Sequence, residues 1–207
     1  MNCEFFRMTN LARALSWLLH PLVLPVYLVV FLLTATPFAF CSGSVRFYFA
    51  WVILLCGVVI PVLSVGVLRS LGRISDWRID SRRERRWPLM IGALCYLLCA
   101  VALARVPSLV FLRKFMLAAA CCEIMCLVVS QRWKISLHLT AMGAAVALLA
   151  IMSFADPGRS LVPLAVAIFA AGALASARLL FGCHNSAQVF AGFCGGFAVT
   201  AVTMLFF

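Results

Sequence analysis

The sequence predicts an all-α protein: a polytopic membrane helix bundle of six to seven transmembrane helices, forming one domain over residues 1–207. Two observations lead there. Hydrophobic residues make up 66% of the chain and the mean hydropathy is +1.13, whereas soluble domains run nearer half apolar. The apolar residues also come in runs separated by short polar breaks, and the chain has room for about six or seven spans at roughly 20 residues each.

The opening MNCEFFRMTNLARALSW lacks a small-residue cleavage site, and its apolar region is too long for a signal peptide. It reads as a short basic flank leading into the first span, from about Ala14 to Phe40. His20-Pro21, Pro25 and Pro37 lie within that span or at its edges, where proline kinks or ends a helix. The second span covers about Phe47 to Leu68 and the third about Leu89 to Ala104, followed by a turn at Arg105-Val106-Pro107-Ser108. The fourth runs from Leu109 to Ser130, with Arg113 and Lys114 near its start able to snorkel to the interface. The fifth covers Leu137 to Phe154, and Asp156-Pro157-Gly158-Arg159 has the residues of a tight loop. The sixth and seventh run from Leu161 to Leu180 and from Val189 to Phe207. One crossing per span puts the N-terminus and residues 69–88, 131–136 and 182–187 on one side. Residues 41–46, 105–108 and 155–160 fall on the other.

Three polar clusters therefore share a side: Arg73 to Pro88, Arg132 to His138 and Ala177 to Gln188. They hold most of the arginines and two of the three histidines. Ionisable groups at hydrocarbon are costly, so their default reading is functional. Bases without matching acids suit an anion, most simply a phosphate. The net charge of +11 raises nucleic acid as a partner, but the bases sit beside membrane segments, so anionic lipid headgroups are the nearer one. None of the ten cysteines forms a CxxC pair, and most lie in apolar runs. They read as small buried apolar residues, and neither a zinc site nor any other cofactor is expected.

Within the first cluster, Arg78, Arg82 and Arg85 follow i, i+4, i+7 and would share a helix face able to clamp phosphate oxygens. A lipid-facing positive loop fits the same residues, with Asp76, Asp80 and Glu84 partly neutralising it. The second cluster puts Lys134, Ser136 and His138 at the mouth of the fifth span. The third sets Arg178 and His184 across a helix end. One histidine can attack phosphorus and another can protonate the leaving oxygen, so two histidines among cations make a metal-free phosphoryl-transfer site.

These clusters, in this order, resemble the type-2 phosphatidic acid phosphatase family of membrane lipid phosphate phosphatases, whose pattern is K-x6-R-P, P-S-G-H, then S-R-x5-H-x3-D. The resemblance spans about Arg78 to Gln188. Arg178-x5-His184 matches the third motif, and Ser136 and His138 match within the second, where Ile135 and Leu137 replace Pro and Gly. Arg78-x6-Arg85 keeps the step of the first, with arginine for lysine and Pro88 two residues late. The resemblance implies His184 as nucleophile, His138 as general acid, and Arg78, Arg82, Arg85, Lys134, Ser136 and Arg178 as the phosphate cage. Ala177 stands for the family's Ser, and Gln188 for the Asp that orients the nucleophile. A glutamine carbonyl can fix the tautomer but adds no negative charge.

The implied activity is hydrolysis of a phosphomonoester or pyrophosphate on a lipid: polyprenyl pyrophosphate, phosphatidic acid or phosphatidylglycerol phosphate. The alternative is a catalytically impaired relative that binds or moves phosphorylated lipids. A transporter is a weaker third reading, since no inverted repeat stands out. The expected setting is a bacterial inner membrane. The positive-inside rule puts the clusters in the cytoplasm, while many members of the resembled family work on the outer face. Glu123 within the fourth span and His20 read as structural, and Gly192, Gly195 and Gly196 as close helix packing. The sequence leaves the oligomeric state open.

Overall fold

A computed structural model of the protein describes residues 2–75, 81 and 83–207. The regular structure among these residues is all helical, with no strand. The helices are α1 (Asn2–Leu18), α2 (Leu24–Ala35), α3 (Gly43–Leu54), α4 (Ile60–Ser70), α5 (Arg86–Leu103), α6 (Val110–Ser130), α7 (Leu137–Ala155), α8 (Pro157–Leu180) and α9 (Ser186–Phe206). α3 and α4 run on as one 28-residue rod, Gly43–Ser70, through a π-turn at Leu55–Val59. Pro61 explains that turn: it has no N–H, and its ring crowds the carbonyl four residues back, so the ladder widens there.

Among the described residues, five helices are long and apolar enough to cross a membrane: Gly43–Ser70, Arg86–Leu103, Leu137–Ala155, Pro157–Leu180 and Ser186–Phe206. They are compatible with an integral membrane protein. The six to seven spans expected reduce to these five by length and composition. α6 is 21 residues long but carries Arg113, Lys114 and Glu123. α2 has only 12 residues.

The first expected span, Ala14 to Phe40, is not one helix. α1 ends at Leu18, and α2 begins only at Leu24. Pro21 is the cause: it supplies no donor and drives His20 out of helical geometry. His20 then closes the turn before the next helix, its Nδ1 accepting from Leu22 N–H at 3.2 Å and its carbonyl from the N–H groups of Val23 and Leu24.

The first cluster also departs from the expected helix. Ser81 is a bend, residues 83–85 are turn, and α5 starts at Arg86 with Arg85 at its N-cap. Pro88 sits in the first helical turn, where no intrahelical donor is needed. Arg78, Arg82, Asp76 and Asp80 lie outside the described residues. Glu84 is used locally, accepting from Ser75 Oγ at 3.0 Å and Ser75 N–H at 3.3 Å.

The tightest packing joins α7 to α9. A side chain on Gly143 would strike the Phe193 carbonyl, one on Gly196 the Thr140 carbonyl, and one on Gly192 would lie 2.7 Å from the Ser136 carbonyl. Small residues let these backbones touch, as expected for Gly192 and Gly196. Gly195 faces Met125 of α6 instead. Leu139, Met142, Leu174 and Val189 make the apolar floor under the polar end. A larger core around Phe49, Cys99, Leu103, Leu112 and Leu148 fills the opposite half. Glu123 lies against Gly92, where α6 meets α5.

Candidate functional site

α9 opens with a reciprocal cap. Asn185 Oδ1 accepts from Gln188 N–H at 2.9 Å, and Gln188 Oε1 accepts from Asn185 N–H at 3.3 Å. This is the capping box that Asn-x-x-Gln encodes. The same Oε1 lies 3.1 Å from His184 Nδ1, and the Lys134 carbonyl lies 3.2 Å from that nitrogen. Both neighbours are acceptors, since the bond from Asn185 orients the amide. Nδ1 therefore carries the proton, and the lone pair is on Nε2.

The two chain breaks are tied directly. Ser136, the N-cap of α7, donates its N–H to the Gln188 carbonyl at 3.4 Å. Arg85 joins from a third break: it is only 6% exposed, and its Nη1 donates to the Ile135 carbonyl at 3.3 Å. Arg178, in the last turn of α8, acts electrostatically on His20, His138 and His184, and Arg85 and Lys134 act on His184. The positive ends of α7 and α9 meet beside these cations. Burial pushes the His184 imidazole down to about 4; the Gln188 carbonyl opposes that, and Arg178, Arg85 and Lys134 add to it. The ring is neutral at physiological pH.

Two polar atoms here are buried without a hydrogen-bond partner, Arg178 Nε and Ser136 Oγ. Such atoms are rare in folded proteins and require a reason.

The structure thus brings Arg85, Lys134, Ser136, His138, Arg178, His184 and Gln188 to one end of the bundle. Arg78 and Arg82 fall outside the described residues. His20 joins the group although the sequence reading gave it a structural role: its ring meets His138 edge to face, centroids 5.1 Å apart. The available signal was side counting, which puts the N-terminus, and with it the start of the first span, beside the clusters. Among the described residues no three His, Cys, Asp or Glu side chains stand close enough to hold a metal ion. Protein-family models, curated proteins and solved structures give no match to this chain.

Proposed function

We propose that the chain is a membrane lipid phosphatase, a divergent relative of the type-2 phosphatidic acid phosphatases, acting on a lipid phosphomonoester or pyrophosphate without a metal. The observation that carries this reading is His184 itself. It is a neutral imidazole with Nδ1 held by two acceptors and Nε2 left as a nucleophile, with Arg85, Lys134 and Arg178 around it.

In the first step the Nε2 lone pair attacks phosphorus. The bond to the lipid-side oxygen breaks, its electron pair leaves on that oxygen, and His138, which must enter the step as the imidazolium, gives it its extra proton. Arg178, Ser136 and the other cations offset charge on the equatorial oxygens. Water then attacks the phosphohistidine, His138 takes the water's proton, and the nitrogen–phosphorus bond breaks. Phosphate leaves and both rings regain their starting states. Lateral entry from the bilayer would deliver the lipid tail while the headgroup meets the basic end.

The test is phosphate release by the purified chain from vesicles carrying polyprenyl pyrophosphate, phosphatidic acid or phosphatidylglycerol phosphate. Release unaffected by a chelator, with a base-stable phosphohistidine on His184, is the expected result. Loss to the chelator and recovery with magnesium would refute the metal-free mechanism.

A second reading has its own support. Gln188 is neutral and serves a helix cap, so the imidazolium that forms in a reaction gains no counter-charge. A protein that binds or moves phosphorylated lipids without cleaving them fits that. Specific binding of the same vesicles with no phosphate release would favour it.

A further inference from the structure

We propose that His20 is a positioning residue for His138, so that the N-terminal helix and its turn complete the site. This rests on the phosphatase reading, in which His138 protonates the leaving oxygen.

The His20 ring is fixed on its own side. Its Nδ1 accepts from Leu22 N–H at 3.2 Å, which leaves the proton on Nε2 and pins the ring to the turn that Pro21 creates. That pinned ring stands at 89° to His138 with centroids 5.1 Å apart, a favourable edge-to-face arrangement. The partner is part-buried at the mouth of α7, and the His20 ring is the aromatic group set against it. The wall behind is built from the same segment. α1 packs on α8, the helix that carries Arg178, and the Ser16 backbone lies within reach of the His138 ring. Ser16 Oγ is itself buried without a hydrogen-bond partner. Burying a polar imidazole beside a guanidinium is costly where a leucine would fill the space. A role in aiming His138 accounts for the choice.

The experiment compares two substrates. Phosphatidic acid has a poor leaving group that needs protonation. p-Nitrophenyl phosphate has a good one that does not. His20→Asn keeps an acceptor for Leu22 N–H, so the turn stays capped, but removes the ring. The variant should lose at least about tenfold in kcat on phosphatidic acid and less than about threefold on p-nitrophenyl phosphate, with KM for both within about threefold. An equal loss on both substrates, or no loss on either, would overturn the proposal. If the wild type cleaves neither, the phosphatase reading fails by itself. His20 is then judged by diethyl pyrocarbonate labelling of the full chain in vesicles. Faster labelling of His138 in His20→Asn supports its hold on that ring, and an unchanged rate overturns it.

Discussion

The two ends of the bundle handle polar groups in opposite ways. At the end away from the histidines several are satisfied by their own loop, although Tyr48 reaches the Ala102 carbonyl and Lys114 the Met204 carbonyl. Asp156 caps α8 through Arg159 N–H and pairs with the Arg159 side chain, Nε to Oδ2, at 3.6 Å. Arg46 reaches the Ala39 carbonyl, and Thr36 Oγ1 returns to Leu32. At the histidine end the partners come from far along the chain: His184 bonds Lys134 O, Arg85 bonds Ile135 O, and Ser136 bonds Gln188 O. Atoms still unpartnered remain there, on Arg178 and Ser136. Local bonds finish a turn. Long-range bonds with spare donors build a place for something else.

The strongest way to break that contrast is to remove one side chain at each end. His184→Ala should cost at least about a thousandfold in phosphate release, because no phosphohistidine can form. Asp156→Ala should stay within about twofold, since an exposed pair contributes little. Comparable losses from both would mean that the histidine end has no special role.

The next effect is on folding. Gly196→Ala drives a methyl into the Thr140 carbonyl and should lower unfolding stability by about 1–3 kcal/mol. Gly172→Ala in α8 has nothing within 4 Å, and there alanine should be neutral or stabilising by about 0.5–1 kcal/mol. Denaturant titration in detergent separates the two.

Gln188→Glu tests the missing charge. The side chain keeps its length and its place in the capping box, and it adds a carboxylate beside the ring that becomes cationic. An increase of about tenfold in kcat is expected. No increase would leave the lipid-binding reading ahead.

The smallest effect is one of pH. With His184 at about 4, its lone pair is present throughout the neutral range and is lost only as pH falls through that value. Between pH 7 and pH 5, kcat/KM should therefore lose less than about twofold to protonation of His184, where an ordinary histidine would cost more than about tenfold. A steep acid limb near 6.5 would show the ring to be better solvated than its burial implies.

Much of the histidine end was legible in the sequence. Counting crossings placed the 69–88, 131–136 and 182–187 stretches together, and contacts among Arg85, Lys134, Ser136, His184 and Gln188 agree with that placement. Other features depended on partners that no local pattern reveals. His20 reads as one half of a His-Pro pair until α7 presents His138 to it. Gly143 disappears into an Ala-rich run, and its value lies wholly in the α9 backbone opposite. Arg85 looked like the third residue of a helical stripe, but a helix that starts at Arg86 turns it into a cap position. The break at Leu18 was signalled by Pro21, although its exact place was set by the turn bonds of His20.

One atom links helix stability to imidazole chemistry. Gln188 Oε1 accepts from Asn185 N–H and from His184 Nδ1–H together. Fraying of the first turn of α9 would withdraw that acceptor and leave the Nδ1 proton to the Lys134 carbonyl alone. The hold on the ring is thereby tied to a local helix–coil equilibrium, and melting the end of one helix would loosen the imidazole long before the bundle unfolds.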